Sequence, residues 1–180
     1  MTSHAPDLPI SVDDETGVWT TDALPMLYVP RHFFINNHKA IEAEIGPERY
    51  AEILYQAGYK SAYHWCEKEG ELHGLIGRAV FEHYMKRLSQ RGWGLFTVEQ
   101  LDVDLGKARV RLDHSAFVYE YGKVNRMVEY MFTGWFAGAM DQIANNLGLG
   151  IKTRAVQRQS AAEEGLDHGL FEVFPISYTG

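Results

Sequence analysis

Val128-Glu129-Tyr130-Met131-Phe132-Thr133-Gly134-Trp135-Phe136-Ala137-Gly138-Ala139-Met140-Asp141-Gln142-Ile143-Ala144-Asn145-Asn146-Leu147 is the stretch on which the fold turns. Val128, Phe132, Trp135, Phe136, Ala139, Met140, Ile143 and Leu147 recur at helical spacing and predict one continuous apolar stripe. Gly134 and Gly138 stand four apart inside it, on either side of Trp135. A glycine within a helix costs about 1 kcal/mol relative to alanine. Two of them imply that a neighbour approaches this backbone closely. That neighbour is either another element of the chain or a ligand lodged against the indole, and both readings stay open here.

Outward from this helix the pattern alternates between helical and extended periods. On the N-terminal side, residues 1–16 carry Pro6, Pro9 and Asp13-Asp14-Glu15 and read as a loosely held arm. Val18-Trp19-Thr20 and Met26-Leu27-Tyr28-Val29 read as short strands. A first helix runs from Arg31 to about Ile45, closed by Gly46-Pro47. A second runs from Pro47 to about Glu69, with Pro47 suited to a first helical position. Its buried side is read as Tyr50, Ile53, Leu54, Ala57, Ser61 and Trp65, and Ala57-Gly58-Ser61-Ala62 make its middle slim. A third helix runs from about Leu72 to Gln90, with Leu75, Ile76, Ala79, Val80 and Leu88 as core candidates.

Gly94–Asp104 and Lys107–Leu112 then predict two strands around a tight turn. Phe96 and Val98 are out of phase with Leu101 and Val103, a one-residue slip that a β-bulge near Glu99 would produce. Ala116-Phe117-Val118-Tyr119 reads as a sheet edge. Past the glycine-bearing helix, Ile151–Gln159 and Leu170–Ile176 predict a last hairpin around the polar loop 160–169. The order of elements predicts an α+β domain: an antiparallel sheet of hairpins packed against about four helices, as a single domain over 17–180.

Composition removes several functions. A net charge of −7 lacks the basic footprint of a nucleic-acid partner. A single cysteine, Cys66, excludes an internal disulfide and a cysteine-rich zinc site, and fits a reducing cytoplasm. No apolar run approaches the roughly 20 residues that span a bilayer, and no secretory signal is visible. There is no His-Glu-x-x-His and no histidine pair at i, i+4. His64 and Cys66 diverge by about 200° around a helix and cannot share a metal there. No nucleophile elbow is present, and Asp113-His114-Ser115 lies where side chains alternate, so it forms no triad. Gly92-Trp93-Gly94 and Gly148-Leu149-Gly150 read as turn punctuation and leave nucleotide phosphates without a cradle. No catalytic residue, metal ligand set or cofactor is expected.

What remains is aromatic supply: Tyr50, Tyr55, Trp65, Tyr84, Trp93, Phe132, Trp135 and Phe136 on inferred core faces. With the slim faces of two helices they predict an apolar pocket, in which a few polar groups such as His64, His73 or His83 orient a ligand.

Leu54-Tyr55-Gln56-Ala57-Gly58-Tyr59, Gly92-Trp93-Gly94, Ser115-Ala116-Phe117 and Gly134-Trp135-Phe136-Ala137-Gly138, in this order, resemble the 4-vinyl reductase-like domain, a small-molecule-binding module. The likeness covers about Tyr50 to Ile176. It implies the α+β fold of transport-particle subunits and of phenol-responsive sensor domains, a dimer, and a ligand held in an apolar pocket against Trp135. Val18-Trp19-Thr20 through Pro30-Arg31-His32-Phe33-Phe34 resembles a narrower bacterial subgroup linked to methylated-amine (dimethylglycine) catabolism. Metal-binding members carry two cysteines eight apart around the last loop. Ala161 and Gly169 stand at those positions here and offer no donor atom, so the structural zinc is expected to be missing. Packing of Leu166, Leu170 and Phe171 is expected to offset it.

The resulting expectation is a non-catalytic cytoplasmic homodimer that holds a partly apolar organic ligand. Its binding residues are Trp135, Phe132, Gly134, Gly138, His64, Trp65, His83 and Tyr55. An accessory protein or enzyme of amine or aromatic catabolism, with His64 or His83 moving protons, is the alternative. A scaffolding subunit with a filled core is the third.

Overall fold

The computed structural model describes residues 7–176. Two antiparallel sheets and five helices follow one another as β1 (Ile10–Val12), β2 (Trp19–Thr21), β3 (Leu24–Met26), α1 (Arg31–Ile45), α2 (Pro47–His73), α3 (Arg78–Gln90), β4 (Leu95–Asp102), β5 (Lys107–Asp113), α4 (Ala116–Tyr121), α5 (Met131–Asn146), β6 (Thr153–Gln159) and β7 (Gly169–Pro175). The small sheet is ordered β1-β2-β3 and the large one β4-β5-β7-β6. The α+β class and the hairpin pairing expected from periodicity are those observed. The register of β4 on β5 shifts between Val98 and Gln100, where the phase slip placed a bulge.

Helix α5 is the centre of the molecule. It is buried on nearly every side, not along a single stripe. One flank lies on α2 and the other on the large sheet, where Phe136 meets Phe171 at 5.1 Å and Phe132 meets Phe96 at 5.2 Å between ring centroids. Edge-to-face geometry at these distances adds specific attraction to the burial of apolar area. Asp141, buried in the last turns of α5, ties the layers together. Its carboxylate accepts hydrogen bonds from the Tyr59 hydroxyl of α2 and from the amide and hydroxyl of Thr153 on β6, each at 2.7 Å.

Several elements differ from expectation, among them the strand expected over 26–29, which is instead Leu24–Met26. Helix α2 runs on to His73, and α3 begins only at Arg78, because Gly74 and Gly77 take positive φ (63° and 59°) and break the chain between them. Along α2 the buried residues are Tyr50, Gly58, Ala62, Trp65, Cys66 and Glu69, so Tyr50 and Trp65 are buried as expected. Ile53, Ala57 and Ser61 face out, as do Ile76 and Ala79 further on. Ala116–Tyr119 is not a sheet edge. The Ser115 hydroxyl accepts from the Val118 amide and starts α4, a capping preference that outweighs the β-branched and aromatic content. Finally, the expected arm over 1–16 contains β1, paired with β2 from Ile10↔Thr21 to Val12↔Trp19. Residues 1–6 of that arm lie outside the described residues.

The last loop is held by polar groups as well as by its apolar side chains. The Lys123 ammonium donates to the carbonyls of Ala161, Glu163 and Leu166 at 2.8, 3.0 and 2.7 Å. The Ser160 hydroxyl and the Gln157 amide both donate to the buried Glu129 carboxylate. Leu170 and Phe171 are buried in the core, and Leu166 is half-buried. Replacing Lys123 by Met removes three bonds from an exposed ammonium. A loss of about 1–2 kcal/mol is expected, with faster amide exchange confined to residues 160–169.

Candidate functional site

The residues expected to bind a ligand fall into separate places. Gly134 and Gly138 are explained by α2: a Cβ added at either would lie 2.2 Å from the carbonyl oxygen of Tyr55 or Tyr59. Trp135 in turn lies over Gly58, where a Cβ would meet its Cδ1 at 2.3 Å. Gly58, Gly134 and Gly138 are therefore used up by the helix crossing: what approaches them is the chain's own backbone and the Trp135 ring. Tyr55 contributes its main chain to that contact. Phe132 is fully buried among Trp93, Phe96, Phe117, Trp135, Phe136 and Phe171. Trp65 stacks on His83 at 5.7 Å, in a part of α2 beyond its crossing with α5's glycines. His64 is exposed to solvent.

An apolar cavity of about 490 Å³ opens on the other side of Trp93. Its walls are the small sheet (Ile10, Trp19, Met26), the start of α1 (Phe34, Ile35), and the turn from α3 to β4 (Arg91, Gly92, Trp93). Trp93 is the link to the expected site, because its ring stands edge-on to Trp135 at 5.4 Å. The cavity lining contains Arg31 and Arg91 and no carboxylate among the described residues. The Arg91 guanidinium lies 5.1 Å from the Trp65 ring, and its Nε and Nη2 are buried without hydrogen-bond partners. Sequence reasoning missed this cavity because its walls come from three separated segments, the first of which was read in part as an arm. A wider groove of about 640 Å³ crosses the large sheet, lined by residues of β4, β5 and β7 and by Arg158 of β6. Arg158 and Glu172 pair across it at 2.6 Å and Arg109 pairs with Glu99 at 3.1 Å, so it reads as a solvated sheet face.

Behind Arg91 lies a polar cluster. Asp22 sits in the β2–β3 turn, Glu69 and His73 near the end of α2, and His83 on α3. His83 Nε2 is 2.8 Å from Glu69 Oε2, and Arg87 donates to Asp22 Oδ1 at 3.0 Å. Burial, and then the neighbouring Asp22 carboxylate, raise the Glu69 carboxyl above the usual range. Burial, followed by the charge of Arg87, lowers His83 to about 4 and keeps it neutral. Glu69 and His73 form an i, i+4 pair only because α2 runs on to His73, past the expected end near Glu69, and their two partners lie on other elements.

A second network surrounds α1. The Glu42 carboxylate receives Arg126 through both oxygens (2.9 and 2.6 Å) and the hydroxyls of Tyr121 and Tyr130 (2.9 and 2.7 Å). Beside it His38 is 1% exposed among Tyr50, Phe117, Tyr121 and Tyr130, with neither ring nitrogen bonded. Burial lowers its pKa to about 4, opposed by Glu42 and reinforced by Arg126. The unfolded chain takes up that proton near pH 6.5, so His38 favours the fold above that pH and ceases to as pH falls toward 4. The gap corresponds to about 3 kcal/mol. Urea unfolding of His38→Phe is expected to show a correspondingly shallower loss of stability between about pH 7 and pH 4 than the wild type.

These elements define a class: two long helices crossed over a four-stranded antiparallel sheet, the fold of 4-vinyl reductase-like and transport-particle proteins. The chain is similar to the phenol-responsive sensory domain of the transcription activator PoxR, solved with phenol (13% identity, TM-score 0.75, covering 92% of this chain and 84% of that one). It is also similar to a trafficking protein particle complex subunit 3 from Naegleria fowleri covalently bound to palmitic acid (11%, 0.57, 82% and 96%). A third similar structure is a vinyl-4-reductase family protein from Methanocaldococcus jannaschii (12%, 0.53, 84% and 85%). These identities bear on fold alone. By sequence the chain belongs to the family described as a domain of unknown function, DUF5943, whose model matches residues 4–99. No curated protein matches its sequence. Among the described residues no helix is long and apolar enough to cross a membrane.

Proposed function

We propose that this chain is a small-molecule-binding module whose ligand lies in the cavity between the small sheet and Trp93. The observation that carries the reading is the cavity itself: about 490 Å³, with Trp19, Tyr28, Phe34 and Trp93 among its walls. That is within the usual size of a small-molecule site, where an apolar lining carries a few polar groups. Trp135 supports the Trp93 ring from behind and does not bear on the ligand directly. Two guanidinium groups and no carboxylate weigh against a cationic amine. They favour a neutral or anionic ligand with an aromatic or otherwise flat apolar body, of which phenol, present in the similar sensory domain, is the simplest probe.

Two features of the earlier expectation remain part of the proposal, the cytoplasmic setting and the homodimer. Leu27 and Tyr28, each 87% exposed and lining the cavity, offer apolar surface that a second copy would cover. Titration of the protein with phenol and with larger substituted phenols, followed by tryptophan fluorescence, tests the reading. A saturable change is expected, diminished in Trp93→Phe and abolished in Met26→Trp, which fills the cavity. A response that persists in Met26→Trp with the fold intact places the ligand elsewhere.

A further inference from the structure

Asp22, Glu69, His73 and His83 each offer one donor atom, and the four atoms lie within 4.8 Å of one another. His73 Nε2 is 3.3 Å from Asp22 Oδ1 and 3.4 Å from Glu69 Oε2, and His83 Nε2 is 2.8 Å from the same Glu69 oxygen. A tetrahedral ion with bonds of about 2.0–2.2 Å separates its ligand atoms by about 3.3–3.6 Å. The donors therefore stand close to coordination spacing. A second observation points the same way. The Asp22 and Glu69 side chains are each 1% exposed, yet Asp22 Oδ2 and Glu69 Oε1 have no hydrogen-bond partner. Buried carboxylates with an oxygen left unpaired are costly, and a cation held by the two carboxylates lowers that cost.

We propose that Asp22, Glu69, His73 and His83 form a binding site for a divalent first-row transition metal ion of the zinc or iron class. Two imidazole nitrogens with two carboxylates select such an ion over magnesium or calcium, which take oxygen ligands alone. Arg87, bonded to Asp22 Oδ1, fixes that carboxylate from outside the coordination shell. The imidazole of His73 is one third exposed and gives the ion its approach from solvent. None of the four residues lines the apolar cavity, so the two sites are separate.

Titration of the metal-free chain with Co²⁺, followed by visible absorption and calorimetry, tests the proposal. One ion per chain is expected, with absorption bands of a nitrogen- and oxygen-ligated centre, displaced by Zn²⁺ and unaffected by a large excess of Mg²⁺. His73→Ala, at the solvent-facing end of α2, is expected to keep the far-ultraviolet circular dichroism of the wild type and to weaken binding at least about 10–100-fold. Glu69→Gln is expected to weaken it as strongly. A folded wild-type chain that binds no Co²⁺ overturns the proposal and leaves the two carboxyls as a proton-sharing pair. Undiminished binding in a folded His73→Ala protein overturns it equally.

Discussion

Gly138→Ala is expected to destabilise the fold by about 3 kcal/mol or more, and Gly134→Ala by a similar amount. An alanine Cβ at either position would lie 2.2 Å from a carbonyl oxygen of α2. The obstructing atom is backbone, so no rotamer change relieves the contact. The two long helices must separate along their whole crossing. That crossing is the largest helix interface in the molecule, and it places Asp141 within reach of both Tyr59 and Thr153. With total stabilities commonly about 5–15 kcal/mol, the double variant is expected not to fold. Urea denaturation against an exposed control such as Ala57→Gly, which costs about 1 kcal/mol through propensity alone, separates close packing from helix propensity. Both glycine variants matching that control would mean that the crossing is looser than described.

Phe132→Ala is expected to cost about 3–5 kcal/mol. Phe132 is 0% exposed, and its ring lies within 6.3 Å of six other aromatic rings, drawn from α4, α5, the large sheet and Trp93. These neighbours belong to different elements that cannot all collapse inward, so a void remains and the loss lies toward the upper end of that range. The effect separates two roles. A core residue lowers stability with or without ligand, whereas a ligand contact changes affinity more than stability. Thermal unfolding of the ligand-free variant, with a fall of several degrees or more, assigns Phe132 to the core.

The parts of the fold legible in the sequence are those governed by local rules. The α1 helix ends where Gly46-Pro47 ends it, the β4 bulge follows from a phase slip of Phe96 and Val98 against Leu101 and Val103, and the glycines of α5 required a close neighbour. What stayed open was whether that neighbour was backbone or ligand, and the carbonyls of Tyr55 and Tyr59 decide it. The α4 helix was missed because a single serine cap overrode a strand-like composition.

The candidate sites were less legible, because both are assembled from distant segments. The cavity joins β1–β3 to the α3–β4 turn through pairings that no local pattern announces. The four-residue cluster needs a two-residue turn at Asp22-Ala23, with φ of 51° and 62°, to bring Asp22 onto the end of α2. Neither position is glycine, so the usual hairpin signal was missing.

The central claim is that the space between the small sheet and Trp93 receives a small molecule. The direct test is a crystal structure of the protein grown with a small aromatic probe. The account predicts the probe seated against the Trp93 ring and enclosed by Met26, Phe34 and Ile35. A probe that binds only elsewhere, or a cavity closed by the chain's own side chains, would contradict it.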